Sequence, residues 1–308
     1  MTREEINEAI QKEVDYENNK EKISSIIKKV LLFIIIVAIL GVLFFAYTTY
    51  VSTSIIKVRE YRIINEKIPD SFNGIKIIHF SDLHYGSTMY DENIKTIKKL
   101  INERKPDIII FTGDLIDNDF KITEKQKEQL SKNLKELDAT LGKYAVLGDE
   151  DTEEEITTIL NQSDFITLKN EYDLIYNEMN EPILLVGIDS LLKKHQNLDA
   201  SYSYFKQETY NTNIYTITIV HEPDTAIDIV NNYPTDLILA GHSHNGNIII
   251  PVLDIPLERK NGAKKYNNNY YDLGESKLYI SSGLGTNNKT GIRLFCRPSI
   301  NFYRISNK

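Results

Sequence analysis

Cysteine occurs once in the 308 residues, at Cys296, and tryptophan does not occur at all. A lone cysteine cannot close an internal disulfide, and it excludes a Cys-rich zinc module. Within Arg293-Leu294-Phe295-Cys296 it reads as a small buried hydrophobe. Proline (8) and glycine (14) are sparse, and no Pro or Gly/Ser tract marks a disordered stretch. No internal repeat recurs at a fixed period. An excess of positive charge is also missing. The formal net charge is −8; residues 1–29 carry six basic and seven acidic groups, which leaves −7 for the rest. Such a domain is poorly suited to tracking a nucleic-acid backbone, which favours a basic surface, so no nucleic-acid partner is expected. Bound cations would reverse that sign locally.

The composition that remains is globular, 41% hydrophobic and 26% charged. Residues 30–51 (VLLFIIIVAILGVLFFAYTTYV) contain no charge. At about 1.5 Å per residue this run is long enough to cross a bilayer core of ~30 Å. A cleavable signal peptide fits badly, because the apolar run is too long, the preceding residues are rich in acids, and no small-x-small cleavage site follows Phe45. A buried soluble helix would rarely be apolar on every face. The chain therefore divides into a polar tail (1–29), a transmembrane helix (30–51) and one domain (52–308). Lys28 and Lys29 abut the span on its N-terminal side, with Lys20 and Lys22 behind them, whereas the first cation after it is Lys57. That bias predicts a single-pass protein of the cell membrane with its domain outside the cytoplasm. Ile6, Ile10 and Val14 have near-helical spacing, but a solvated tail is the simpler expectation.

Beyond the span, strand-like and helix-like segments alternate. Apolar runs at 75–80, 107–111 and 144–147 are separated by two amphipathic patterns, Ile94/Ile97/Leu100/Ile101 and Leu130/Leu134/Leu137/Leu141. This series predicts parallel pairing with right-handed crossovers. Further strands are expected at 183–186, 214–220, 236–240, 247–250 and 278–281, with a C-terminal pair near 292–295 and 300–303. Helices are expected near 153–161 and 223–231. Residues 254–276 are polar and turn-rich and read as a surface loop.

Five of these segments share a pattern, an apolar strand ending in metal-ligand residue types: Asp82-Leu83-His84, Gly113-Asp114-Leu115-Ile116-Asp117, Gly148-Asp149-Glu150-Asp151, Val220-His221-Glu222 and Gly241-His242-Ser243-His244. Four of the six histidines lie there. Two divalent cations about 3.5–4 Å apart need mixed nitrogen and oxygen ligands and one carboxylate able to bridge them. Aspartate and neutral imidazole supply this without thiolates, as suits Mn, Fe, Zn or similar ions. Residues i and i+2 at a strand end can aim at neighbouring points, and Gly113, Gly148 and Gly241 let the chain turn tightly beside the ions.

Read together as SDLH, GDLID, GDED, VHEP and GHSHNG, these motifs resemble the calcineurin-like metallophosphoesterase superfamily. The closing segment YISSGLGT…GIRLFCRPSI is similar to a branch of membrane-linked bacterial phosphoesterases. The resemblance covers residues 60–306. It implies an α/β fold of two packed mixed β-sheets flanked by helices, a four-layer αββα sandwich, here preceded by one transmembrane helix. It also implies two divalent ions, one held by Asp82, His84, Asp114 and His244, the other by Asp114 as bridge, Asp149, His221 and His242. The implied reaction is metal-dependent hydrolysis of a phosphate ester or pyrophosphate bond, by in-line attack of a hydroxide on phosphorus.

The third motif departs from the family pattern, Gly-Asn-His. Asp149 can replace the Asn carbonyl and adds a negative charge. Glu150 replaces the family's general-acid histidine, and Asp117 matches the carboxylate that pairs with it. Two close carboxylates cannot both stay ionised cheaply, so Glu150 and Asp117 are expected to share a proton, with Glu150 as general acid. The alternative is a catalytically weak metal-binding module; a third reading, a secreted nuclease or nucleotide diesterase, conflicts with the acidic domain. Asn245 and Asn247 either touch phosphate or shape a turn. Loop 254–276, with Arg259, Lys260, Lys264, Lys265, Tyr266, Tyr270 and Tyr271, is either a substrate-facing lid, with Tyr266 a contact, or a mobile surface loop. His79 reads as a packed sheet residue and His195 as a solvated one. A phosphorylated small molecule or lipid-linked phosphate is the expected partner, together with the bilayer.

Overall fold

The computed structural model describes residues 2–177, 181–207, 209–250, 253, 255–286 and 291–308. The chain divides into two units, one ending at Thr48 and the other comprising Thr49–Lys308. The first is a single helix, α1 (Arg3–Ala46), opened by a capping box in which Thr2 and Glu5 satisfy each other's backbone N–H groups. Residues 3–29, expected as a solvated tail, continue the same helix as the apolar run. Among the described residues it is the one helix long and apolar enough to cross a membrane.

The second unit opens with the single turn α2 (Ser52–Ser54), and its first sheet draws strands from both ends of the domain. Strand β1 (Lys57–Ile64) is an edge; β2 (Lys76–Phe80) precedes α3 (Asp91–Asn102), β3 (Ile108–Thr112), α4 (Glu124–Lys135), β4 (Gly142–Val146), α5 (Glu153–Gln162) and β5 (Phe165–Thr167). The second sheet uses β6 (Glu171–Ile175), β7 (Ile183–Gly187), then α6 (Leu198–Ser201), β8 (Thr216–Ile219), α7 (Ala226–Asn232) and β9 (Leu237–Ala240). A two-residue pair, β10 (Ile249–Ile250) and β11 (Ile255–Pro256), precedes β12 (Tyr270–Leu273), β13 (Ser276–Ile280) and β14 (Ser299–Ser306). The strand orders are β1-β14-β2-β3-β4-β5 and β12-β13-β9-β8-β7-β6. From β2 to β5 all neighbours are parallel, as are β7, β8, β9 and β13, while β14/β2, β6/β7 and β12/β13 run antiparallel. These are the two mixed sheets flanked by helices that the resemblance implies.

The central strands are buried on both faces, which is why they read as unbroken apolar runs rather than as alternation. Ile78, Phe80, Ile109 and Phe111 pack on one side of the first sheet with Ile94, Ile97, Ile101, Leu130, Leu134, Ile156 and Ile159 of α3, α4 and α5. Their strand neighbours Ile77, Ile108 and Ile110 face the other way, joining Ile217, Ile219, Leu237 and Leu239 between the sheets. The second sheet's outer face packs Leu184, Val186 and Ile238 with Ala226 and Ile229 of α7.

Several boundaries differ from expectation. Residues 292–295 form no strand: only Leu294 bridges, to Ile248, and Phe295 holds a left-handed backbone (φ 57°). Only the second of the two C-terminal segments is a strand, and it lies between β1 and β2. Part of the expected loop 254–276 is ordered as β11 and β12; residue 254 itself lies outside the described residues. Replacing Ile110, fully buried between the sheets, by alanine should cost roughly 2–5 kcal/mol. Urea unfolding of the detergent-solubilised chain measures that loss.

Candidate metal centre

The chain leaves β2, β3 and β4 of one sheet, and β8 and β9 of the other, through short loops, and all five sequence motifs lie in those loops. Backbone bonds keep the loops zipped beyond the strands: Asp82 N–H donates to Gly113 O (2.8 Å), His84 N–H to Asp114 O (3.1 Å), and Gly241 N–H to His221 O (3.0 Å). Asp82, His84, Asp114, His242 and His244 all hold positive φ, between 43° and 63°. That region is sparsely used by non-glycine residues, with Asp, Asn and His the most tolerant, so the ligand residues make the turns themselves. Glycine is needed where backbones meet. A Cβ on Gly148 would lie 2.1 Å from Asp114 Oδ1, and one on Gly113 (φ 85°) 2.4 Å from Gly148 N.

All seven expected metal ligands converge. Asp114, Asp149, His221 and His242 bring their ligand atoms within 4.8 Å of one another, and Asp82, His84 and His244 form a second such group. Asp114 stands between the groups, its Oδ2 being 3.3 Å from His221 Nε2 and 3.7 Å from His84 Nε2. Asp149 Oδ1 lies 3.1 Å from His221 Nε2 and 3.0 Å from His242 Nδ1, yet it is buried without a hydrogen bond. Imidazole nitrogens face each other at 3.2 Å in both groups, His84 to His244 and His221 to His242. Nitrogen against nitrogen and an orphaned carboxylate oxygen are the donor arrangement a cation satisfies. The set holds only imidazole and carboxylate, fitting two divalent ions of the Mn, Fe or Zn kind.

The remaining ring nitrogens set the tautomers. His221 Nδ1 donates to Thr112 O (2.6 Å) and His242 Nε2 to Asn261 O (2.6 Å). His84 Nδ1 faces Glu150 Oε2 at 3.4 Å and Asp117 Oδ2 at 3.9 Å, and these three residues form a third cluster. His244 differs, since its Nδ1 meets the fully buried Arg293 guanidinium at 3.2 Å. Arg293 also donates to the carbonyls of Ser282 (2.7 Å) and Gly285 (2.5 Å), fixing the 282–285 loop that closes on Asp82 through Gly285 N–H (2.7 Å).

Electrostatics follow from this crowding. Burial opposes ionisation of Asp82, but His244, His221 and His84 together hold its carboxyl well below the carboxylate range. Burial likewise opposes charge on Asp149, and His221 and His242 overcome it. Burial pushes the Asp117 carboxyl up, against the pull of the Asp119 N–H and His84, and Glu150 adds to the rise.

The sequence reading missed Asp151, the last residue of GDED. It is buried, and its carboxylate accepts the N–H groups of Asp114, Leu115 and Gly148, each at 2.8 Å. It thereby shapes the loop that carries Asp114, the residue between the two groups. Burial, and then Asp114, push its carboxyl up to about 6. Its place in the third motif was the available signal. Arg293 carried no such signal. Asn245, left-handed at φ 49°, is buried beside His244 with its amide oxygen unpartnered. Tyr266, expected as a substrate contact, packs in the second sheet's outer cluster, edge-on to Tyr271 at 4.9 Å. His79 is packed in the sheet, bonded to Thr112 Oγ1 (2.9 Å), and burial pushes it down to about 3. His195 is half-exposed, 3.9 Å from Asp189. Gly148→Ala should keep the circular-dichroism spectrum and lower metal affinity about tenfold or more, read by elemental analysis after dialysis.

The family model of the calcineurin-like phosphoesterases matches residues 75–246, the stretch that carries all five motifs. An uncharacterized metallophosphoesterase of Bacillus subtilis, YkuE, is 29% identical over 265 residues, covering 85% of this chain and 89% of the relative. One from Aquifex aeolicus is also 29% identical, covering 87% and 98%. The UDP-2,3-diacylglucosamine pyrophosphatase LpxG of Chlamydia trachomatis is 25% identical, covering 61% of this chain and 70% of the relative. With the family match spanning more than half of the chain, and with two ligand clusters built from its motifs, this protein belongs to the calcineurin-like phosphoesterases.

Proposed function

We propose that the protein hydrolyses a phosphate ester or pyrophosphate bond at a two-metal site, as a member of a membrane-anchored bacterial branch of the family. In this reading residues 1–29 are the cytoplasmic segment, 30–51 the span, and 52–308 the catalytic domain outside the cytoplasm. The observation that carries the chemistry is the position of Asp114 between two converging ligand groups. The lysines preceding the span support the orientation. The candidate membrane helix and the likeness to LpxG, whose name describes a lipid-linked pyrophosphate, support a lipid-linked substrate over a soluble one.

Asp82, His84 and His244 would hold one ion and Asp149, His221 and His242 the other, with Asp114 between them. Such ions polarise phosphoryl oxygens, turn water into a nucleophile at neutral pH and stabilise the leaving oxygen. The protein's own part is positional and acid–base. Thr112 O and Asn261 O fix the rings of His221 and His242. Asn245, buried beside His244, gives an amide N–H to the phosphoryl group. Glu150, within 4.8 Å of Asp117, shares a proton with it and gives that proton to the leaving group. The acid works only while protonated, so the rate falls as pH rises through the pair's upper apparent pKa. Glu150→Gln should flatten that limb and slow an alkyl phosphate about 10²–10⁴-fold, while an aryl phosphate, whose leaving group needs no proton, is largely spared. Rates with both substrates across pH, with Mn²⁺ supplied, make the measurement; a fully active Gln variant with an unchanged profile removes Glu150 from the acid role.

A second reading, a catalytically weak metal-binding module, draws on the Glu150 carboxylate facing His84 Nδ1, a placement that also serves to orient a ligand. Elemental analysis with a phosphate-release panel separates the two. Retained metal with release of phosphate supports the enzyme; retained metal without turnover of either ester type supports the module.

A further inference from the structure

Beyond Val51, the three most exposed large apolar side chains among the described residues are Leu253 (63%), Phe295 (63%) and Leu257 (62%). The topology gathers them at one place. Ile249 pairs with Pro256 and Ile250 with Ile255, so Leu253 lies in the turn of this hairpin. Leu257 follows β11 directly, and its N–H donates to Ile248 O (2.8 Å). On the other side of Ile248, Leu294 bridges in parallel: its N–H donates to Asn247 O (3.0 Å), and Ile249 N–H donates to Leu294 O (3.0 Å). Phe295 comes next along the chain.

These three segments form a small sheet with two unlike faces. Alternate residues of a strand point to opposite faces, and residues opposite each other across a ladder share one. Pro256 takes the inner face: it is buried, and a Cβ on Gly246 would lie 2.6 Å from Pro256 Cβ. Ile248, Ile250, Leu257 and Leu294 take the other, on which Ile250 and Leu257 are exposed. Singly scattered apolar residues on a surface are ordinary, whereas a gathered set marks a contact with a protein or a membrane. Its surroundings are basic although the domain is acidic. Residues 246–266 carry Arg259, Lys260, Lys264 and Lys265 against Asp254 and Glu258, and Arg297 follows Phe295 by two positions. Arg259 and Arg297 are exposed.

We propose that this small sheet docks the domain on an anionic bilayer, with Leu253, Leu257 and Phe295 entering the interfacial layer and Arg259 and Arg297 meeting headgroup phosphates. Apolar side chains flanked by cations suit the headgroup boundary, where burial and attraction to anionic lipid act together. Arginine lays its apolar stem along such a surface while its head stays in the polar layer. A second copy would instead set the same cations against one another, so the charge pattern favours lipid over self-association. The inference rests on the reading of residues 30–51 as a span, which keeps a bilayer within reach of every copy. Its consequence for the reaction follows from the fastening of the sheet. Gly246 is two residues past His244, and Asn261, four past Leu257, receives His242 Nε2–H through its carbonyl. A docked sheet therefore sets the ligand loops at headgroup level, where a membrane lipid carries its phosphate.

The chain contains no tryptophan, so a single introduced one reports its own surroundings. Full-length Leu257→Trp and Phe295→Trp are reconstituted in phosphatidylcholine–phosphatidylglycerol vesicles with brominated acyl chains, beside Tyr176→Trp, an exposed site after β6. At the two sheet positions emission should shift to the blue relative to detergent, with quenching by the brominated chains about twofold or more above that at Tyr176→Trp. Leaving out phosphatidylglycerol should weaken the quenching. Quenching at the sheet no greater than at Tyr176→Trp overturns the proposal, and quenching indifferent to phosphatidylglycerol overturns its anionic choice. A blue shift without quenching, lost as the chain is diluted in lipid, marks a second copy on this face and also overturns it. Flotation with the vesicles tests the span separately: a chain that does not float removes that reading, whereas one that floats without selective quenching removes only the docking.

Discussion

Asp82, Asp114 and Asp149 are brought together, with their oxygens aimed at shared points, in a part of the domain where two of the three are sealed from water. Buried like charges at such range repel strongly, and water is not there to screen them. Nothing in the hydrophobic layers on either side relieves that repulsion. It is relieved by the four imidazoles among them and by the buried Arg293 guanidinium. The positive-φ turns, the glycines at loop crossings and the carboxylate of Asp151 gripping three N–H groups all serve to hold this unfavourable cluster in one geometry. The two sheets supply the rigidity: ligands come from strand ends in both, so the layer of Ile108, Ile110, Ile217 and Leu239 between them sets the distance across the centre.

Much of this was legible in the sequence because the same residues do two jobs. IKIIHF, DIIIF and YAVL are apolar on consecutive positions, which marks strands buried on both faces, and each leads into residues of the clusters. The motif order then picked out seven expected ligands, and their side chains do converge. What escaped detection has physical causes. Residues 57–64 form an edge strand with exposed charged positions, so no apolar run marked them. Residues 270–273 pair as a strand at the other sheet's edge with the same polar disguise. Arg293 lies in a segment that reads as strand, yet the left-handed turn at Phe295 takes it out of the ladder and buries the guanidinium against His244. Tyr266 packs inward because aromatic residues in loops fold back onto apolar surface when it is within reach, as it is here beside Tyr271.

Two roles fit the place that Glu150 takes beside His84 and Asp117. A carboxylate facing His84 Nδ1 resembles the outer partner that many metal-bound histidines have, and a carboxylate beside another carboxylate resembles an acid poised to donate. These roles are compatible, because Glu150 carries two oxygens and only one of them faces His84 Nδ1.

Strand β14 lies between β1 and β2, so residues far apart along the chain are interleaved in the first sheet. While the polypeptide emerges, β2 has no partner on that side and β1 has none at all. The sheet can be completed only after residue 306 is free, long after the N-terminal helix has left the ribosome. Long-range pairing of this kind makes closure slow, and for that interval an unpaired strand edge stands open, where a holding chaperone has the greatest effect on yield.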